Sequence, residues 1–505
     1  VSSEKSGARV GRRLAVPSGS GSLLDQLRLL GRHPRADCGG DGRCGKCRVR
    51  FVSAPPAADP ADREWLIPAD LDSGWRLACR HSAKAGPTLE SDPDWDLRFR
   101  IERLAAVASD LPLGFAVDIG TTGLVSALVD QRRGEPLVIA RGFNPQRAYG
   151  ADVMTRLVAA RDPSFLKCLQ TIILEAIQSS LEQLAAETPA GTDLMGVPAM
   201  AVGNTVMLHL VCGLPETTLS IAPFRSPLEG QLLIPIPLLN RHLTVAGPLQ
   251  GFIGSDLLSV LHFLDIHRTA SNPTLVMDLG TNSEIALWDG RSYWVTSCAA
   301  GPAFEGGGIS CGAPAGPGVA TGVQFDQGNW ILQPMGKRPK SALCGSALMA
   351  LLAELIRNNM LRSDGKFTAS SKVILQDRNP EISLSQKDVR ALQLAKAAIH
   401  AGIVILSRRS GLTLSRIGRV VITGAFAREL LEADLKDVGL VPASTAEVAF
   451  VNDGALRGAA KALGAEGDPF KNLRELTRVV NLVEEDDFQE IFLEGLDLKP
   501  LKAMS

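Results

Sequence analysis

One short pattern occurs twice in this chain. Phe115-Ala-Val-Asp118-Ile-Gly120-Thr121-Thr122-Gly123 leads into the apolar run Leu124 to Val129, and Leu275-Val-Met-Asp278-Leu-Gly280-Thr281-Asn282-Ser283-Glu284 leads into Ile285 to Trp288. Each copy is an apolar strand, then Asp-x-Gly-Thr, then a second apolar strand, the signature of a β-hairpin whose turn has lost bulk at glycine. A plain hairpin accounts for one copy. Two copies of identical spacing, their aspartates 160 positions apart, point to an internal duplication. From Gly114 onward apolar strands alternate with helical periodicity, as in Thr155 to Leu184 and Lys387 to Leu406, which specifies α/β layers rather than a sandwich.

Such a turn has a definite chemistry. Glycine lets backbone N–H groups approach a phosphate, threonine hydroxyls add donors, and an aspartate at the strand end can hold a hydrated Mg2+ or orient a water. The pattern therefore predicts catalytic roles for Asp118 and Asp278. It predicts nucleotide contacts at Gly120, Thr121, Thr122, Gly280, Thr281 and Asn282, with a nucleoside triphosphate clamped between two lobes.

Composition narrows the rest. A chain of 505 residues has room for about three folding units. Its 53 Lys and Arg against 54 Asp and Glu leave no basic surplus to grip a polyphosphate backbone, so nucleic acid is not an expected partner. The most apolar window, Met195 to Leu214, contains Pro198, Asn204, Thr205 and His209, which a lipid-facing helix would have to bury; it reads as core. The opening residues Val1 to Lys5 carry no apolar run of signal-peptide type, and the expectation is a cytoplasmic protein without a membrane partner.

Nine cysteines are unevenly spread. Cys168, Cys212, Cys298, Cys311 and Cys344 are scattered singly and read as small buried apolar residues. The other four form Cys38-x5-Cys44-x2-Cys47-x31-Cys79, with glycines at 39, 40, 42 and 45. Four thiolates on a glycine-rich loop can ligate a [2Fe–2S] centre, the loop aiming N–H groups at the sulfurs. The spacing is one residue longer than the plant-type loop, as in ferredoxins of the adrenodoxin type. Zinc is the rival for four cysteines, but structural zinc usually uses two paired knuckles, and Cys79 stands alone in Leu77-Ala-Cys79-Arg80.

The two hairpins resemble the phosphate motifs of the actin, sugar kinase and heat-shock chaperone superfamily of ATPases. In that light Arg419-Val-Val-Ile-Thr423-Gly424-Ala425-Phe426 is a buried strand running into the adenosine-binding loop, with Gly424 and Ala425 against the nucleoside. Glu305, ahead of Gly306, Gly307 and Gly308, is then a ligand for Mg2+ or for a water, or else a turn carboxylate. The resemblance implies a duplicated ribonuclease H-like α/β ATPase fold, preceded by an α+β β-grasp ferredoxin-like domain. The boundaries expected are 1–90 for the ferredoxin-like domain, 91–113 for a charged flexible linker, 114–465 for the two-lobed ATPase and 466–505 for a C-terminal extension packed on it.

A ferredoxin-like module joined to an ATPase is restrictive, because ATP is needed in electron transfer when the acceptor lies below the donor in potential. The pairing resembles the reductive activators of corrinoid-dependent enzymes, which return cob(II)alamin to cob(I)alamin. The resemblance runs through Phe143 to Arg156, Val202 to His209, Gly254-Ser-Asp256, Gly301 to Gly312, Cys344-Gly-Ser346 and Leu394 to Gly402. It implies a [2Fe–2S] cluster, ATP and Mg2+ as cofactors. As partners it implies a corrinoid protein or cobalamin-dependent methyltransferase, an upstream low-potential electron donor, and a homodimer as one assembly state. A sugar kinase would need no ferredoxin. An ATP-coupled donor to another low-potential enzyme and a redox-gated ATP-binding sensor are the competing readings.

Overall fold

In the computed structural model, residues 13–502 are described except 85, 92–98, 191, 193, 195, 216–218, 220–225, 237–240, 317, 335–340, 377–380 and 425–426. The chain divides into two compact units. One comprises the described residues up to Asp256 together with Ala459–Asp468; the other comprises Leu257–Gly458 and the described residues from Pro469.

The first unit opens with a four-stranded antiparallel sheet of strands β1 (Arg13–Ala15), β2 (Arg48–Phe51), β3 (Trp75–Leu77) and β4 (Thr88–Ser91), in the order β1-β4-β2-β3. Strand β2 alternates, burying Val49 and Phe51 and turning Arg50 outward. Its inward residues meet Leu23, Leu24 and Leu27 of the helix Leu23–Leu29 in one small core. That helix starts at Ser22, whose side chain accepts the Asp25 N–H.

Next comes a seven-stranded sheet of β5 (Arg100–Arg103), β6 (Leu113–Ile119), β7 (Gly123–Asp130), β8 (Glu135–Phe143), β9 (Ala199–Gly203), β10 (Gln231–Ile236) and β11 (Arg241–Ala246). Strands β6, β7 and β8 form an antiparallel meander, and β9 and β11 add in parallel beside β6. Strand β5 lies inside the stretch expected to be a linker. It pairs antiparallel with β8 at the sheet edge. Its charges suit an edge position: Glu102 accepts from Arg141 of β8 at 3.0 Å and Arg103 reaches Glu187.

The second unit repeats the plan. Strands β12 (Thr274–Asp278), β13 (Ser283–Trp288) and β14 (Tyr293–Cys298) form the meander. A three-stranded sheet of β15 (Val319–Asp326), β16 (Asn329–Pro334) and β17 (Ala342–Leu343) follows, then the pair β18 (Lys372–Gln376) and β19 (Ile382–Ser385). Strands β20 (Arg419–Thr423) and β21 (Glu447–Phe450) then add in parallel beside β12, and β22 (Thr477–Val479) closes the far edge. The order β14-β13-β12-β20-β21 matches β8-β7-β6-β9-β11 strand for strand and direction for direction. The internal duplication that the repeated hairpin implied is thus present, in the ribonuclease H-like α/β arrangement that the resemblance implied.

Helices cover the sheets. The periodic stretch Thr155 to Leu184 is two helices, Val153–Ala159 and Pro163–Ala185, because Asp162 caps and Pro163 opens the second. The helix Gln386–Arg409 is long and apolar enough to cross a membrane by length and composition alone, yet 78% of that apolar window is buried against the second sheet and its neighbours.

Candidate functional site

Three structural elements carry the residues singled out in the sequence. The first is the cysteine loop. Gly39, Gly40, Gly42 and Gly45 all have positive φ, so the chain between Cys38 and Cys47 turns in ways that residues with a side chain resist. A Cβ at Gly45 would lie 2.8 Å from Trp65 Cβ, and one at Gly42 2.9 Å from Arg80 Cδ.

The loop brings the thiols together as two pairs, Cys38 with Cys44 and Cys47 with Cys79. The Cys44 hydrogen bond lowers Cys38 to about 4 against the effect of burial, helped by the backbone N–H groups of Gly40, Arg43 and Gly42. Cys44 and Cys47, as the donors of their pairs, are pushed up. Cys79 is lowered by Cys47 first, and Gly42 N–H also reaches it. Among the described residues no three His, Cys, Asp or Glu side chains form a group set to hold one metal ion.

Cys47 and Cys79 are fixed by the sheet. Cys47 directly precedes β2 and Cys79 follows β3, and the strands pair Arg48 with Leu77 while Ala78 N–H bonds Cys47 O at 2.8 Å. Behind them sits Asp62, fully buried, accepting Leu77 N–H at 2.7 Å, His81 Nε2 at 2.7 Å and Asp59 N–H at 2.8 Å. Burial alone would raise its pKa, but these donors hold it below the usual carboxylate range.

The second element is the β6–β7 turn. Asp118 is half-buried at the end of β6, paired with Val125 of β7 and Val202 of β9. The carbonyls of the turn are taken up from behind. Gly120 O accepts Asn144 Nδ2 at 2.8 Å, Thr122 O accepts Asn144 N–H at 2.9 Å and Thr121 O accepts Arg156 Nη2 at 2.6 Å. Thr121 Oγ1 accepts from Asn204 Nδ2 at 2.9 Å. Arg156 is fully buried, its Nε on Gly150 O and its Nη1 on Met207 Sδ, and burial lowers it to about 9. Asn144, Arg156 and Asn204 fall within the stretches that carry the family resemblance, but sequence reasoning gave them no role in this turn.

The third element is the β12–β13 turn. Asp278 is half-buried and paired with Glu284 and Thr423. Thr281 Oγ1 donates to Glu305 Oε1 at 3.2 Å, so the structure brings the predicted carboxylate onto the predicted turn. Gly306 and Gly308 have positive φ, and Gly306 packs so tightly on the following strand of the loop that a Cβ would lie 2.7 Å from Ala313 N. Gly307 is half-buried beside Pro302.

Gly424 follows β20 at φ +111°, and a Cβ there would overlap the Leu279 carbonyl oxygen. Gly203, at the end of β9, stands in the same relation to Ile119, where a Cβ would lie 2.6 Å from the carbonyl oxygen. Ile119 and Leu279 are the x of each Asp-x-Gly-Thr. Gly424 is therefore required for close packing on the hairpin, a structural reason independent of any base beside it. Ala425 lies outside the described residues.

Asp388 holds the glycine-rich loop to the long helix. It accepts Ser310 N–H and Oγ–H at 2.7 and 2.6 Å while capping Gln386–Arg409 through Ser385. Burial raises its pKa, but the hydrogen bonds from Ser310 and Ser385 outweigh burial and leave it lowered. Its contribution to stability is accordingly present above the unfolded carboxylate value of about 3.9 and is lost as pH falls through its depressed folded pKa. Asp388→Ala, which strands those donors, is expected to cost about 3 kcal/mol in urea unfolding at pH 7. That deficit should shrink in acid, and a deficit that is the same at pH 3 as at pH 7 would contradict the assignment.

Comparison with known proteins finds matches for each of these elements. Residues 8–84 match the 2Fe-2S iron-sulfur cluster binding domain, residues 113–269 the RACo middle region and residues 272–504 the C-terminal domain of RACo, the ASKHA domain. The chain is 31% identical over 360 residues to the corrinoid activation enzyme RamQ of Eubacterium limosum, covering 65% of this chain and 60% of that protein. It is 26% identical over 369 residues to the Co(II) methylated amine-specific corrinoid protein reductase of Methanosarcina barkeri, covering 65% and 66%. The match thus spans under two thirds of the length of these curated relatives. A solved structure of a reductive activator for corrinoid, iron-sulfur protein superposes over 96% of both chains at a TM-score of 0.69 and 23% identity, which shows a shared fold. A 2Fe-2S iron-sulfur cluster binding domain, a RACo middle region and a RACo C-terminal ASKHA domain thus follow one another along the chain, in matches that run from residue 8 to residue 504.

Proposed function

We propose that this chain uses ATP to drive one-electron reduction of a cob(II) corrinoid protein, or a cobalamin-dependent methyltransferase, to the cob(I) state. The observation that carries the reading is the occurrence in one chain of paired thiols on an N–H-lined loop and two Asp-x-Gly-Thr turns on matching sheets.

Cys38, Cys44, Cys47 and Cys79 hold a [2Fe–2S] cluster, which supplies a one-electron carrier when bound. Two pairs of thiols suit two irons, each taking one pair, whereas a structural zinc would draw all four to a single centre. The Gly40, Gly42 and Arg43 amides stabilise the thiolate form at Cys38. In the nucleotide region, the amides following Gly120 and Gly280, those of Thr121 and Thr281, take phosphates, with the Thr121 and Thr122 hydroxyls and the Asn282 side chain as further donors. Asp118 and Asp278 hold hydrated Mg2+ or orient a water, and Glu305, fixed by Thr281, acts beside Asp278. Gly306, Gly307 and Gly308 keep the loop after Glu305 free of side chains, and Gly424 borders the nucleoside. The electron comes from a separate low-potential donor.

The test is to mix the anaerobic protein with a Co(II) corrinoid protein at limiting reductant and follow cob(I) absorbance. Cob(I) should accumulate with MgATP and stay at a low plateau without it. Equal yields with and without ATP would leave the ATPase out of the electron path and defeat the reading.

A further inference from the structure

The iron–sulfur module is not separate from the β6–β7 turn. Arg28, on the helix Leu23–Leu29, is only 4% exposed. Its guanidinium donates to Ala148 O through Nε at 3.0 Å and Nη2 at 2.5 Å, and through Nη2 to Gly39 O at 3.1 Å. Gly39 is the residue after Cys38. The same guanidinium lies 4.6 Å above the ring of fully buried Tyr149 and pairs with Asp25 at 2.9 Å.

Further contacts run alongside. Ala151 N–H bonds Asp37 O at 2.9 Å, and Ala36 N–H bonds Arg147 O at 3.4 Å. A Cβ on Gly39 would lie 2.8 Å from Thr155 Cγ2, so the cysteine loop touches the helix Val153–Ala159 with no room to spare. From that helix Arg156 reaches both Gly150 O and Thr121 O. A continuous path therefore leads from Gly39 beside Cys38 through the Arg28 hydrogen bonds, the backbone of the 147–151 segment and the buried Arg156 bonds to the turn assigned to phosphate.

Two buried arginines each bridging carbonyl oxygens of different segments make a stiff linkage. If either end shifts, a buried carbonyl or guanidinium N–H loses its partner, at an uncompensated desolvation cost. We infer that Arg28 is a positioning residue that couples the cluster loop to the phosphate turn, so that nucleotide bound at the turn changes the environment of the cluster and the cluster's redox state changes nucleotide affinity. The inference rests on the cluster and nucleotide assignments proposed above. Coupling of this kind is reciprocal: the factor by which reduction changes ATP affinity is the factor by which ATP shifts the one-electron equilibrium of the cluster.

The experiment measures both sides on the full chain. ATP affinity is determined by calorimetry for the oxidised and the dithionite-reduced protein, and the midpoint potential is determined with and without MgATP. The native protein should differ about tenfold in affinity between the two redox states, with a matching shift of about 59 mV. In Arg28→Ala both effects should fall to less than about twofold while iron content and ATP binding remain. Arg28→Lys, which keeps the charge but cannot bridge Ala148 O and Gly39 O as a fork, should lie between.

Should Arg28→Ala fail to fold, Tyr149→Leu removes the ring beneath the guanidinium from the other side and should also weaken the coupling. Undiminished coupling in the soluble variants, or equal ATP affinity of the oxidised and reduced native protein, would overturn the inference alone. Native protein lacking either iron or ATP binding would overturn the functional reading and this inference with it.

Discussion

Asp278→Asn is expected to abolish the proposed ATP-dependent formation of cob(I) in a corrinoid protein, lowering its yield at limiting reductant by about a hundredfold or more, while leaving cluster absorbance and its reduction by dithionite intact. The size follows from energetics. Ferredoxins of the plant type lie near about −400 mV, and each further 59 mV to a lower acceptor costs about a factor of ten in a one-electron equilibrium. A corrinoid couple below the cluster is therefore reached in quantity only when nucleotide makes up the difference. Asp278 ends β12 at the turn where Thr281 is held by Glu305, and it lies across from Thr423 of β20. Asparagine keeps the shape of the strand end but removes the negative charge that a hydrated Mg2+ or an attacking water requires. The four cysteines proposed to hold the cluster lie in the other unit, so the iron content should not change. Native yields of ATP-dependent cob(I) formation in Asp278→Asn, or loss of its cluster, would refute the role given to this residue.

The parts of this molecule that could be read from sequence are those where one residue type answers one local demand. Glycine after Asp118-Ile and Asp278-Leu, with apolar strands on either side, announces a hairpin, and its repetition announced the duplicated sheet order. Four cysteines at ferredoxin spacing identified the loop for the same reason. The missed features depend on contacts distant in sequence. Asn144 and Arg156 brace the carbonyls of the 120–122 turn from 24 and 35 residues away, and no periodicity marks them. Strand β5 was hidden because Arg100, Glu102 and Arg103 look like solvated linker charges, whereas an edge strand pairs those charges with Arg141 and Glu187. Gly424 was singled out for a place beside the nucleoside, whereas a glycine at that bend is already demanded by the Leu279 carbonyl, a contact distant in sequence. The expectation of a charged flexible linker over 91–113 also looked only at local composition. It took no account of Arg28, an ordinary helix-face arginine in sequence that is a buried bridge to Ala148 in the fold.

Loss of the cluster should be most complete at the cysteines that the sheet holds. Cys47 is 2% exposed, belongs to the same core as Val49 and Leu77, and is locked beside Cys79 by the Arg48 to Leu77 pairing and the Ala78 N–H to Cys47 O bond. Cys38 and Cys44 instead lie away from the sheet on the glycine-rich loop and are partly exposed. A cysteine cut back to alanine leaves its iron without a ligand, whereas a serine at 38 keeps an oxygen where the sulfur stood. Cys47→Ala should therefore reduce iron from about two per chain to near zero in anaerobically purified protein, with sulfide falling in parallel. Cys38→Ser, which leaves a hydroxyl among the Gly40, Gly42 and Arg43 amides, should retain a labile fraction of the cluster. ATP binding should survive in both, because the Asp278 turn lies in the other unit and the 120–122 turn is braced by Asn144 and Arg156 rather than by the cysteines. Iron, sulfide and zinc analysis beside calorimetry with MgATP reads all of these at once. Zinc in place of iron in the native chain, or about two irons retained in the Cys47→Ala, Cys79→Ala double variant, would show that these four thiols do not hold a [2Fe–2S] cluster.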